Sequence, residues 1–192
     1  MKRVLLLLAV QFYFTSSFCQ NEPNSKPPGN FTGIWVNRYY DNGPVSDSGK
    51  YVNGKKEGYW NYFFENGKIS AKQSFLNGDA EGENIWYFPS GKINGKSSLH
   101  KGKLIYSITY FENGKIEISA KYKEGIMNGE WLRYWENGSI RVKGKYVNGT
   151  MAGEWINNYE NGKLAWVGWY ADGKLQSEIF YDEVGKVKKK SN

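Results

Sequence analysis

The chain has one histidine, His100, next to Lys101, with no repeated serine, cysteine or carboxylate spaced to make a nucleophile and an oriented base. It reads as a solvated loop side chain, and no catalytic residue is assigned. Glu65, Glu112, Glu136 and Glu160 each stand two residues before a glycine. Recurrence at one phase marks them as turn-flanking surface positions, not the isolated buried acids of a glycoside hydrolase. The Asn-Gly-Lys runs precede no helix, so they are not phosphate loops. No set of metal ligands has a useful spacing, and no cofactor is expected. The remaining chemistry is stacking and charge. Phe63, Tyr87, Tyr110 and Tyr134 stand four before a glycine, and Lys72, Lys96 and Lys143 stand five after one. Together they form a candidate binding face, on which the aromatics could stack sugars or nucleotides or dock a peptide.

Two glycine ladders position these residues. Gly43, Gly67, Gly91, Gly114, Gly138, Gly162 and Gly185 follow one another at steps of 23 or 24 residues. Gly54, Gly78, Gly102, Gly125, Gly149 and Gly173 lie eleven residues behind the first six. Two ladders in one phase mean a tandem repeat too short to bury a core alone. Asn-Gly between runs of alternating large residues predicts a β-hairpin with a two-residue type I′ turn. The turn eleven residues later leads into the next hairpin. Helix is excluded by the frequency of glycine. The expected fold is all-β, an elongated single-layer antiparallel sheet of six to seven hairpin repeats of 24 residues.

With a two-residue turn, the positions seven, five and three before the glycine share a face with those two, four, six and eight after it. That face collects Trp60, Tyr62, Phe64, Ile69, Ala71 and Phe75, and equivalently Trp131, Trp155, Ile140 and Val142. Trp131 then faces Gly144 and Trp155 faces Gly168, an indole against bare backbone. The opposite face carries the candidate binding residues. Glu65, Glu112 and Glu160 are expected to pair across the turn with Lys68, Lys115 and Lys163. Asn84 and Ser107 replace Trp in two repeats, so residues 84–108 are expected to be a weak point or kink. The first hairpin, with one extra residue, is expected to carry a bulge as a capping unit.

The flanks suggest an address. Met1-Lys2-Arg3 followed by an apolar stretch reads as a signal peptide over 1–19, with cleavage before Gln20; lipidation at Cys19 is the alternative. Cleavage leaves no cysteine, hence neither disulfide nor thiolate site. It also leaves 24 basic and 19 acidic residues, with Lys186, Lys188, Lys189 and Lys190 near the end. The repeat body is close to neutral, which argues against a nucleic-acid groove. Residues 20–30, with Pro23, Pro27 and Pro28, read as a disordered linker, 31–187 as the array and 188–192 as a basic tail. The tail's lysines could touch anionic lipid.

Gly-x-Trp-x-x-Tyr/Trp-x-x-Asn-Gly-Lys-Ile/Leu followed by Tyr-x-x-Gly, as in Gly153 to Gly173, resembles the MORN repeat variant, the module that also defines YwqK-type antitoxins. The resemblance implies a strip of stacked hairpins and a role in protein scaffolding, or an antitoxin that neutralises a toxin partner. The expected function is an exported, non-enzymatic scaffold, periplasmic or at the cell surface, that binds a protein partner. A polysaccharide or an anionic lipid is the alternative ligand, the former making it a carbohydrate-binding module.

Overall fold

A computed structural model describes residues 27–191. The expected export signal, Cys19 and residues 20–26 lie outside the described residues. All regular structure within this range is β: β1 (Gly33–Arg38), β2 (Val45–Val52), β3 (Lys55–Phe63), β4 (Ile69–Leu76), β5 (Asp79–Ala80), β6 (Gly82–Tyr87), β7 (Ile93–His100), β8 (Lys103–Tyr110), β9 (Ile116–Lys123), β10 (Ile126–Tyr134), β11 (Ile140–Val147), β12 (Thr150–Asn158), β13 (Leu164–Ala171), β14 (Lys174–Tyr181) and β15 (Val187–Ser191). They form one open antiparallel sheet in sequence order, with the short β5 pairing only β4. Apart from β5, each strand hydrogen-bonds to the next strand of the main path, as a repeat that stacks on the next requires.

The two glycine ladders make different turns. In the second ladder both central residues are left-handed, as at Asn53 (φ 48°) and Gly54 (φ 72°). These are the type I′ turns. In the first ladder, from Gly67 onward, only the glycine is left-handed, as at Gly67 (φ 78°), while in the first hairpin Asn42 (φ 57°) takes that conformation in place of Gly43. Phe64 N–H donates to Lys68 O and Gly67 N–H to Phe64 O, both at 2.8 Å, closing a three-residue loop. Asn66 Oδ1 accepts the Lys68 N–H at 3.0 Å, an Asx contact that a two-residue turn would not need. The two-residue reading of the first ladder is thus corrected. Glu65 sits inside the loop, and the expected Glu65–Lys68 pairing across the turn does not form. Lys68, Lys92 and Lys115 instead donate to Pro89 O, Glu112 O and Asn137 O of the next turn, at 2.8–3.0 Å.

A bulge next to each such turn absorbs the extra loop residue. Phe63 pairs Ile69, while Tyr62 pairs Ala71 and Trp60 pairs Gln73. Beyond the bulge the expected register is restored, and Trp131 faces Gly144 as Trp155 faces Gly168. The indole that lies on Gly144, however, comes from the next repeat. A Cβ on Gly144 would stand 2.1 Å from Trp155 Cδ2, and one on Gly49 would stand 2.3 Å from Trp60 Cδ2. The expected contact within one hairpin is therefore replaced by one between hairpins, which ties repeats together. Trp60 is 0% and Trp155 2% exposed. Around Trp155 pack Tyr146 (ring centroids 5.1 Å), Trp131 (5.8 Å) and Tyr170 (6.4 Å). Phe31, Trp35, Tyr51, Trp60 and Phe75 form a corresponding chain at the other end.

The sheet stays continuous through residues 84–108, but its ladder narrows there. β6 pairs β4 only at Ala71–Trp86 and Lys72–Ile85, and β5 adds Phe75–Ala80 and Leu76–Asp79. Asn84 fills the Trp position by hydrogen bonding: its Oδ1 accepts the Ser74 N–H at 3.0 Å, a strand amide that the interrupted ladder leaves over. Both ends differ from expectation. Pro28 to Phe31 close a turn (Phe31 N–H to Pro28 O, 2.9 Å), and Gly54 N–H donates to Phe31 O at 2.8 Å, so residues 27–30 belong to the packed end of the array rather than to a linker. The expected basic tail is β15, with Lys189 opposite Phe180 and Lys190 opposite Ile179. In the first hairpin the register shifts between Asn37 and Arg38, where a bulge was expected.

Glu81 stitches one turn to the previous hairpin. Its Oε2 accepts the Lys101 N–H at 2.7 Å, and His100 Nδ1 lies 2.8 Å from Oε1. His100 therefore ends β7 beside a carboxylate rather than in a loop. The Lys101 amide first, and His100 second, hold the Glu81 carboxyl below its ordinary 4.5. Its folded pKa being depressed, the bond is complete above the unfolded pKa and is lost as pH falls through the folded value. The Lys101 amide proton shift is expected to titrate with a midpoint below 4.5. Glu81→Gln should abolish that step, and a wild-type midpoint at or above the ordinary value would contradict the arrangement.

Candidate binding face

Directly paired residues of an antiparallel sheet project to the same side. Pairing from strand to strand joins Lys72, Ile85, Lys96, Ile108, Ser119, Leu132, Lys143, Ile156, Val167, Ile179 and Lys190 into one row across eleven of the strands on the main path. The row lies on the face opposite Trp60 and Trp155. It contains the three lysines singled out from the sequence, alternating with aliphatic side chains from the other strand of each hairpin. Towards the three-residue turns, Phe63, Tyr87, Tyr110 and Tyr134 pair Ile69, Ile93, Ile116 and Ile140. All four aromatics are half-buried. The structure thus places the seven candidate residues on one face, in two neighbouring rows.

Two features of this face differ from the sequence reading. Ile69, Ile116 and Ile140 belong here and not with the tryptophans, because the bulge shifts them by one residue. The aliphatic members of the row, Ile85, Ile108, Leu132, Ile156 and Ile179, were missed. Their signal was available, since each stands six before a first-ladder glycine. The face is therefore less cationic than expected. Lys96 Nζ lies 3.3 Å from Glu83 Oε1 and Lys143 Nζ lies 3.4 Å from Glu130 Oε1, whereas Lys72 is exposed with no ion pair among the described residues. Such part-exposed pairs contribute about 0–1 kcal/mol each, so they orient the ammonium groups more than they stabilise the sheet. A shallow concavity of about 250 Å³ opens between Glu130, Lys143, Lys145, Glu154 and Ile156.

The repeat geometry has a counterpart among known families. The MORN repeat variant matches residues 56–77, 80–101, 102–124, 127–148 and 165–183, together more than half of the chain. The chain belongs to the MORN repeat variant family. Its first four matched MORN repeats each take one strand into a three-residue turn and one strand out. The fifth match begins on β13 and runs through β14, out of step with the hairpin made by β12 and β13. No curated protein matches the chain. Among solved structures, the GtfA/B complex bound to UDP and GlcNAc aligns with 58% of this chain and 22% of its own, at 11% identity and a TM-score of 0.28. A score that low carries no argument about this MORN array.

Proposed function

We propose that this MORN protein is an exported, non-catalytic scaffold whose lysine-bearing face docks a protein partner across several repeats. What supports the reading is the row that runs strand by strand from Lys72 to Lys190. It presents an aliphatic side chain on every second strand and, between them, Lys72, Lys96, Lys143 and Lys190, interrupted by Ser119 and Val167, flanked by four half-buried aromatics. Adjacent strands lie about 4.8 Å apart, so equivalent side chains recur every second strand, at about 9.6 Å. A partner that spans several repeats gains affinity through multivalency, without any single deep pocket.

The test combines Tyr87→Ala, Tyr110→Ala and Tyr134→Ala. Each ring pairs with one isoleucine on the solvent side, so each truncation costs about 0.2–1 kcal/mol of sheet stability. Capture of a partner from the cell envelope is expected to disappear while urea unfolding shifts little. Capture that survives intact in the folded triple variant would show that these rings only shield backbone.

A further inference from the structure

Arginine is scarce here, with four against 22 lysines. Two of the four stand together on neighbouring strands, Arg133 on β10 and Arg141 on β11, with one carboxylate, Glu117, on the far side of Arg133 on β9. Arg133 Nη2 donates to Glu117 Oε1 at 3.2 Å, and its Nε is buried without an acceptor. The Arg141 guanidinium carbon lies 4.3 Å from the centroid of the Trp135 ring, and its N–H groups have no acceptor among the described residues. The platform under it is fixed, because Trp135 Nε1 donates to Asn158 O at 3.2 Å. Burial and the nearby Arg133 charge hold the Arg141 pKa below the ordinary guanidinium value, with Glu117 opposing them. A guanidinium stays charged under such conditions, so the site retains two cations and one anion.

We propose that Arg141 and Arg133 form a receptor for one carboxylate, supplied by an acidic side chain of a protein partner. Stacking on Trp135 occupies one face of the Arg141 plane and leaves its edge donors free, the geometry that receives a carboxylate through two parallel bonds. A lysine offers no such plane. The net charge of the cluster is one positive, which a carboxylate neutralises and a phosphate dianion overshoots. Arg133 pairs Ile118 and Val142, two buried residues of the tryptophan face, so the receptor is separate from the lysine-bearing row and does not rest on it.

The test titrates the whole protein with sodium acetate, with inorganic phosphate and with sodium chloride at matched ionic strength. It follows the Arg141 Nε–H and Trp135 Nε1–H resonances. Acetate is expected to give saturable shifts at both, chloride none, and phosphate no tighter binding. Arg141→Lys keeps the charge and removes the fork, and should weaken acetate binding about tenfold, the value of one charge-assisted bidentate contact. Lys121→Ala, an exposed lysine on β9, should change nothing. Glu117→Gln releases Arg133 Nη2 and adds one positive charge, so acetate should bind more tightly. Absence of saturation, unchanged affinity in Arg141→Lys, or weaker affinity in Glu117→Gln would overturn the receptor. Phosphate binding tenfold more tightly than acetate would overturn its assignment to a carboxylate.

Discussion

Trp155→Ala is expected to destabilise the C-terminal half of the sheet by about 3–5 kcal/mol, the range for removing a buried aromatic side chain. The ring is 2% exposed and touches three other aromatics. It also roofs Gly144 on the strand before it, so its loss unpacks two repeats at once. In an array where each unit contacts only its neighbours, the damage should be local. Amide exchange should quicken across β10–β14 and stay unchanged in β1–β4. Trp131→Ala should cost less, because that ring is only half-buried. A Trp155→Ala loss below about 1 kcal/mol, small against the cavity range, would show that the ring is not what couples these repeats.

Gly144→Ala should cost about 1–3 kcal/mol, the penalty for forcing an extra group into a packed interior. The added Cβ would stand 2.1 Å from Trp155 Cδ2 and 2.2 Å from Cε2, so the indole must lift away. Backbone strain plays no part, since Gly144 is not left-handed. Gly95→Ala is the control. Its Cβ would meet Ile108 O at 3.2 Å and Trp86 Cε3 at 3.7 Å, a contact about an ångström looser than that at Gly144, so it should cost less than Gly144→Ala. The clash at Gly144 should also vanish in a Trp155→Ala background, which a double-mutant cycle measures. Equal costs in both backgrounds would mean that the methyl group meets something other than the ring. The protein itself offers a comparison: Ala120 stands opposite Trp131, the indole that remains half-exposed, while glycines stand under the two sunken ones.

The hairpins, their number and the residues facing each tryptophan were legible in the sequence because the glycine spacing and the Asn-Gly pairs report local backbone needs. The three-residue turn was not. Its extra residue is cancelled by a bulge one step further on, so Trp60 faces Gln73 under either turn, and only Ile69 and its equivalents change sides. Nor was it visible that Trp155 covers Gly144 while facing Gly168, since this depends on how a long side chain leans across the strands. Trp166 shows the same limit. It bends over Gly168 on its own strand and donates from Nε1 to Glu178 Oε2 at 2.9 Å, where other repeats carry an indole. The candidate face was legible as a set of side chains, but not as a mixed surface. Counting by charge overlooked the aliphatic position six before each glycine, and the ion pairs of Lys96 and Lys143 depend on diagonal neighbours two residues away.

The two margins of the sheet are bonded as regularly as its middle. On one side a lysine of each of three successive turns reaches a carbonyl of the next turn. On the other, Gly78, Gly102 and Gly149 N–H groups reach Lys56 O, Ala80 O and Met127 O of the hairpin before. Every such bond spans a single unit, so among the described residues these margin bonds do not themselves count units. Length in such a chain is free to change by whole-unit duplication or excision. Each gain or loss away from the narrowed β4–β6 junction would leave a seam of the same backbone bonding as those already present.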